Sequence, residues 1–202
     1  MNNKSIGAAG ILLVSLSSTA SAADFSFSRV IPSWFSYSYA EIEYVDMDDG
    51  FNGLSAGVSF DIKPNWNIMG QYLLASNSKY NLDLDYRVVS VGGGYHYQLK
   101  NFEKSDLMFH ASLLQGKTEW AAESRIRGDE SDSGIRLGAR LRFEPQPDLE
   151  VNADISYNSL FDNDLTFSPG VLYRFHPHFA VKGSFEFGDL DMLSIGIRYY
   201  IQ

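Results

Sequence analysis

The sequence predicts an all-β fold, a closed antiparallel up-and-down barrel of ten strands, on three observations. Apolar and polar residues alternate with period two from residue 34 to the end, as in strands whose two faces meet different surroundings. Clusters of turn formers cut this alternation into an even number of runs. No stripe of helical period appears after residue 22.

The runs follow in order. The first, about 34–45, ends in the polar stretch Asp46 to Gly53. Residues 54–62 set Leu54, Ala56, Val58, Phe60 and Ile62 against Ser55, Gly57, Ser59 and Asp61, and Lys63-Pro64-Asn65 turns the chain back. The third run, 66–75, gives way to Ser76 to Asn81, and the fourth, 84–99, to Lys100 to Asp106. The fifth, 107–122, leads into Arg127 to Gly134, whose polarity predicts a loop. In 135–144, Ile135, Leu137, Ala139, Leu141 and Phe143 oppose Arg136, Gly138, Arg140 and Arg142, and Pro145 to Asp148 follow. In 149–158, Leu149, Val151, Ala153, Ile155 and Tyr157 oppose Glu150, Asn152, Asp154, Ser156 and Asn158, before a turn that reaches Asp164. The runs 165–175, 179–187 and 190–201 are separated by His176-Pro177-His178 and Gly188-Asp189. A hairpin cut in the wrong place leaves eight strands as the alternative count.

Composition narrows the class. The 202 residues suit one domain, and 45% hydrophobic with 14% aromatic residues is too apolar for a disordered chain. With no cysteine there are no disulfides and no thiolate metal sites. A formal charge of −9 argues against nucleic acid, whose binding needs a basic stripe. No stretch approaches the roughly 20 apolar residues of a membrane-spanning helix. Lys4, the apolar segment Ile6 to Leu16 and Ala20-Ser21-Ala22 come in the order of an export signal. They predict a cleaved signal peptide at 1–22 and a barrel domain at 23–202.

The chemistry of the two faces decides which is inside. One face carries Glu41, Glu43, Asp61, Arg136, Arg140, Arg142, Glu150, Asp154, Arg174, Lys182, Glu186 and Arg198 among glycines and serines. Its signs balance, as a lumen ion-pair network requires, because a buried ion without a partner costs several kcal/mol. The other face is almost free of charge, and its aromatics gather near strand ends. Trp34, Phe60, Trp66, Tyr97, Phe143, Tyr173, Phe175, Phe179 and Tyr199 form one predicted membrane-interface level. Tyr44, Tyr86, Trp120, Tyr157, Phe167 and Phe187 form the other. The runs reach the ~9–11 residues with which a tilted strand crosses a bilayer, and closure leaves no unpaired edge in lipid. An outer-membrane barrel is the expectation.

Tyr39-Ala40-Glu41-Ile42-Glu43-Tyr44-Val45-Asp46 with Gly53-Leu54-Ser55-Ala56-Gly57-Val58-Ser59-Phe60 resembles the first hairpin of small porin-like outer-membrane β-barrel proteins of Gram-negative bacteria. Gly92-Gly93-Gly94-Tyr95-His96-Tyr97 and Ser194-Ile195-Gly196-Ile197-Arg198-Tyr199-Tyr200 are similar to later strands of that group. The resemblance implies an architecture rather than an activity. Such proteins usually end in an aromatic residue, where this sequence reads Tyr200-Ile201-Gln202. With both ends of the barrel strand order on the periplasmic side, the turns at 63–65, 100–106, 145–148 and 176–178 are expected there, and those at 46–53, 76–83, 123–134, 159–164 and 188–189 outside.

Few residues suggest reaction chemistry. His110 and Ser112 share a strand face, the spacing of a base and a nucleophile, but a polar lumen lining explains them more simply. His176 and His178 flank Pro177 without a third metal ligand. The acidic groups Asp46, Asp48, Asp49 and Asp129, Glu130, Asp132 suit divalent cations or solvated loops. Arg127-Gly128-Asp129 is an adhesion-like tripeptide of low specificity, and Gly92 to Gly94 lacks the strand-to-helix context of a phosphate loop. No catalytic residue, metal or cofactor is implied. The expected function is structural or that of a narrow pore, with charged side chains filling the lumen. The alternatives are an outer-membrane lipid-modifying hydrolase, a surface interaction protein acting through extracellular loops, and a secreted barrel holding an apolar ligand. Expected partners are outer-membrane lipids, lipopolysaccharide and, during biogenesis, the barrel-assembly machinery.

Overall fold

A computed structural model describes residues 35–79, 82–99, 102, 104–122 and 126–201. The ten strands are β1 (Tyr39–Met47), β2 (Asn52–Lys63), β3 (Trp66–Lys79), β4 (Leu82–Gln98) and β5 (Ser105–Ala122), then β6 (Ile126–Gln146), β7 (Leu149–Asn158), β8 (Asp164–His176), β9 (Phe179–Glu186) and β10 (Met192–Tyr200). Every strand pairs antiparallel with its sequence neighbours, and β1 pairs with β10 to close the barrel. The only helical turn among the described residues is a 3₁₀ segment, Asp48–Gly50.

Signals at the tight turns are local. Pro64-Asn65 and Pro147-Asp148 place proline at the second turn position and a residue at φ 71° or φ 66° at the third. Asn and Asp tolerate that left-handed geometry better than other side chains. Each of these hairpins carries a register shift beside the turn, between Asp61 and Lys63 and between Phe143 and Gln146. The end with these turns, where β1 enters and β10 leaves, is the periplasmic end in barrels of this kind.

The pleat sorts the side chains as a bilayer requires. Ile42, Leu54, Val58, Val91, Leu113, Leu137, Ile155, Ile195 and Ile197 are exposed on the outer wall, while Glu43, Ser59, Asp106, Arg142, Glu150, Asp154 and Arg198 are buried inside. Phe60, Trp66, Tyr97, Phe143, Tyr173, Phe175, Phe179 and Tyr199 are exposed near the periplasmic rim. Phe179 and Tyr199 are in ring contact at 5.2 Å, and Trp66 meets Tyr95 at 5.0 Å. Tyr44, Tyr157, Phe167 and Phe187 are exposed toward the opposite end. Trp34 and the expected signal peptide, residues 1–22, lie outside the described residues.

The structure corrects several sequence expectations. Residues 127–134 are not a loop. They continue β6, paired so that Glu119 faces Asp129 and Lys117 faces Ser131. The outward row there is polar because it stands above the apolar belt, so polarity marks water rather than a turn. β1 begins at Tyr39 rather than near 34: the Phe35 and Tyr37 side chains turn into the lumen, while Ser38 stays at the rim, its carbonyl accepting the Ile201 N–H. Tyr86 belongs to the lumen lining rather than the outer interface. It and Tyr97 are an odd number of positions apart on β4, so the pleat puts them on opposite faces. Trp120 packs against Gly128 on the β5–β6 extension and forms no part of an interface ring.

Candidate functional site: the barrel lumen

The lower lumen is held by ion pairs. Lys182 Nζ lies 3.4 Å from Glu41 and 2.9 Å from Glu43, and Arg198 donates Nε and Nη2 to Glu41 Oε2 at 2.9 and 2.7 Å. Arg142 donates Nε and Nη2 to the two oxygens of Glu150 at 2.8 and 2.7 Å, a bidentate pair of the strong kind. Arg140 Nε donates to Asp154 Oδ2 at 3.0 Å, and the same oxygen is 2.9 Å from His110 Nε2. The register explains these partners, since Arg140 stands opposite Asp154 and Glu41 opposite Arg198. Arg140, Arg142 and Arg198 are matched from a neighbouring strand, and Lys182 on β9 reaches across β10 to Glu41 and Glu43 on β1, which offsets the cost of burial.

Four residues named from the sequence with this group stand elsewhere. Asp61 sits at the periplasmic rim, where Oδ2 accepts the Tyr37 N–H at 3.1 Å and Oδ1 is 3.4 Å from His96 Nε2. Arg174 lies with its guanidinium 5.0 Å from the Tyr200 ring centre. Arg136 and Glu186 line a cavity and belong to no ion pair among the described residues.

Below the ion pairs aromatic side chains pack into the lumen. Phe35 and Tyr37 are buried with Met108, and Met69 packs against them. The Arg142 guanidinium lies 4.4 Å from the Phe35 ring centre and 4.6 Å from that of Tyr37. Tyr37 also stacks on His96 at 4.0 Å. A second cluster of Tyr39, Leu172, Ala180 and Tyr200 fills the adjoining quadrant, with Arg198 3.8 Å above the Tyr39 ring. Such cation–π contacts are strengthened where water is excluded.

Above the ion pairs a cavity of about 570 Å³ remains, so charged side chains fill only part of the lumen. Leu73, Tyr86, Val88 and Leu114 line it from three adjacent strands. The β7–β8 connection folds over it. Leu160 is buried, Phe161 donates its N–H to Asp132 Oδ2 at 2.6 Å, and its ring meets Tyr86 at 6.1 Å. Gly116 makes this possible, because a Cβ there would lie 2.5 Å from Phe161 Cε2.

His110 and Ser112 both face the lumen and are buried, so neither meets the lipid that a lipid-modifying hydrolase would act on. His110 has its carboxylate in Asp154, but no hydrogen bond joins it to Ser112 among the described residues. His176 and His178 are in ring contact at 5.7 Å, and no group of three His, Asp or Glu side chains suited to a metal occurs among the described residues. Gly92 sits where a Cβ would strike the backbone and hydroxyl of the neighbouring Ser112 strand, so the triple glycine is a close-packing device. Outside the belt, Lys117 is 2.9 Å from Glu119. That hydrogen bond, with Arg87 nearby, holds the Glu119 carboxyl below the usual range.

Sequence reasoning missed the aromatic side chains packed into the lower lumen and the apolar ones within the mixed lining of the upper lumen. The second left a trace: the doublets Leu73-Leu74, Val88-Val89 and Leu113-Leu114 break the alternation and place one apolar residue on each face.

Residues 6–175 match the family described as outer membrane protein beta-barrel domain. No curated protein matches the chain. Among solved structures, the chain is similar to Ail, the attachment invasion locus protein of Yersinia pestis, at 17% identity and TM-score 0.47, over 81% of this chain and 97% of that one. It is similar to the KdgM porin in complex with disordered oligogalacturonate at 10% identity and TM-score 0.48, over 81% and 99%. Neisserial surface protein A matches at 14% identity and TM-score 0.45, over 81% and 95%.

Proposed function

The chain belongs to the outer membrane protein beta-barrel domain family, and on that premise we propose that it is a closed, structural barrel that does not conduct. One observation carries this reading. Phe35 and Tyr37 turn into the periplasmic end of the lumen and sandwich against the Arg142 guanidinium, whose carboxylate partner Glu150 is itself buried. A narrow pore needs a wetted path, whereas here aromatic rings and paired ions occupy the cross-section together. Ten strands enclose an interior narrow enough for side chains to do this. The partners of this reading are outer-membrane lipids and lipopolysaccharide around the belt, and the barrel-assembly machinery during biogenesis. The surface-interaction alternative has little loop area to act with, since the connections between strands are short on both sides.

Planar-bilayer recording tests the reading. The purified barrel is expected to give no stepwise conductance, and Phe35→Ser with Tyr37→Ser is expected to open small steps. Steady single-channel currents from the unaltered barrel contradict it.

A further inference from the structure

The cavity carries two charges that the ion pairs beneath it leave out. Arg140, Arg142, Lys182 and Arg198 are engaged by Glu41, Glu43, Glu150 and Asp154. Arg136 is engaged by no carboxylate among the described residues, and its buried Nε has no acceptor. Glu186 accepts a single hydrogen bond, from Ser168 Oγ at 3.0 Å, and no cation pairs with it among the described residues. Both side chains line the cavity, as does Tyr86. Buried N–H donors are normally matched by acceptors, and a ligand carboxylate is among the strong ionised acceptors of a guanidinium.

The lining they share is mixed, with Leu73, Leu114, Leu160, Phe161 and Met192 facing the same space as Thr118, Asn158, Thr166 and Ser168. A volume of about 570 Å³ falls within the range of small-molecule sites. The rim adds Glu130, Asp162, Asp164 and Asp189 with no basic side chain beside them in the lining. A purely anionic ligand leaves Glu186 unmatched and meets this acidic rim. A purely cationic one leaves Arg136 unmatched. A ligand bearing both charges matches Arg136 and Glu186, and apolar side chains on it match the leucines, Phe161 and Met192 of the lining.

We propose that the upper lumen is a binding site for an amphipathic zwitterion of the short apolar peptide class, its carboxylate on Arg136, its ammonium on Glu186 and its side chains against the apolar residues of the lining. The site goes beyond the closed-barrel reading and does not depend on it, since binding and conductance are read separately.

The methionines provide the test. Met47 and Met192 line the cavity, while Met69 and Met108 belong to the closure below. The full chain, labelled with ¹³C at the methionine methyls and placed in lipid nanodiscs, is titrated with leucyl-leucine, its N-acetyl form and its C-terminal amide. Leucyl-leucine is expected to move the Met47 and Met192 signals and leave Met69 and Met108 in place. Capping either end is expected to weaken binding about tenfold, the worth of one charged hydrogen-bonded contact. Glu186→Gln is expected to remove the acetyl penalty and Arg136→Gln the amide penalty. If either variant fails to assemble, the comparison of caps on the unaltered barrel decides alone. Unmoved Met47 and Met192 at millimolar peptide, or caps without effect, overturn the proposal. A penalty from the acetyl cap alone overturns it in favour of an amphipathic cation, and one from the amide alone in favour of an anion.

Discussion

Arg142 and Glu150 join the two strands of the β6–β7 hairpin beside its turn through two parallel hydrogen bonds of 2.8 and 2.7 Å, and the same guanidinium stacks on Phe35 and Tyr37. One arginine therefore both neutralises a buried carboxylate and fixes the segment that closes the lumen. The pair and the closure stand or fall together.

Arg142→Met leaves Glu150 buried without a partner, which is expected to cost about 3–5 kcal/mol. Arg142→Met with Glu150→Leu is expected to recover most of that loss, because the desolvated charge goes as well. Urea unfolding midpoints in lipid vesicles read both. Arg140→Ala is expected to cost less than Arg142→Met, since Asp154 retains His110 at 2.9 Å. Equal midpoints for all of these variants would remove the ion pairs from the account of stability.

Leu137→Arg or Ile155→Arg puts a charge on the outer wall within the apolar belt, at an expected cost of about 2–4 kcal/mol near the midplane. Ser131→Arg faces the same way on β6 but stands above the belt, opposite Lys117, and is expected to be tolerated. Heat-modified gel mobility of the three variants distinguishes a belt of limited height from an apolar wall along the whole strand.

Gly116→Val is expected to expel Phe161 and Leu160 from the inner wall, because the added Cβ begins 2.5 Å from the Phe161 ring. Limited proteolysis of assembled barrels is the measurement. Cleavage between Asn158 and Asp164 is expected to quicken while the strands stay protected. Unchanged cleavage would mean that the connection does not depend on the space Gly116 leaves.

The legible parts of this fold are those where two solvents meet one strand. On β7, Leu149 to Asn158, lipid outside and ions inside enforce strict alternation, and the observed strand coincides with the expected one. On β6 above Ile135 the outer face meets water, the contrast between faces fades, and residues 127–134 read as a loop although they are paired strand. The closure by Phe35 and Tyr37 was hidden for a related reason. Period two describes a residue in the wall and a residue entering the lumen in the same letters. Leu160, which is buried, stands among polar residues of a turn-forming stretch that offers no period to read. Nothing in the sequence distinguishes Arg136, which pairs with no carboxylate among the described residues, from Arg140, which does.

Apolar side chains of this barrel face outward and its charges face the lumen. Nitroxide labels placed one at a time from 150 to 157 on β7 test it most directly, read as accessibility to oxygen, which concentrates in the bilayer, and to a water-soluble nickel chelate. Oxygen accessibility is expected to peak at 151, 153, 155 and 157 and to fall at 150, 152, 154 and 156. Peaks on the even positions, or no alternation at all, would contradict the assignment of the two faces.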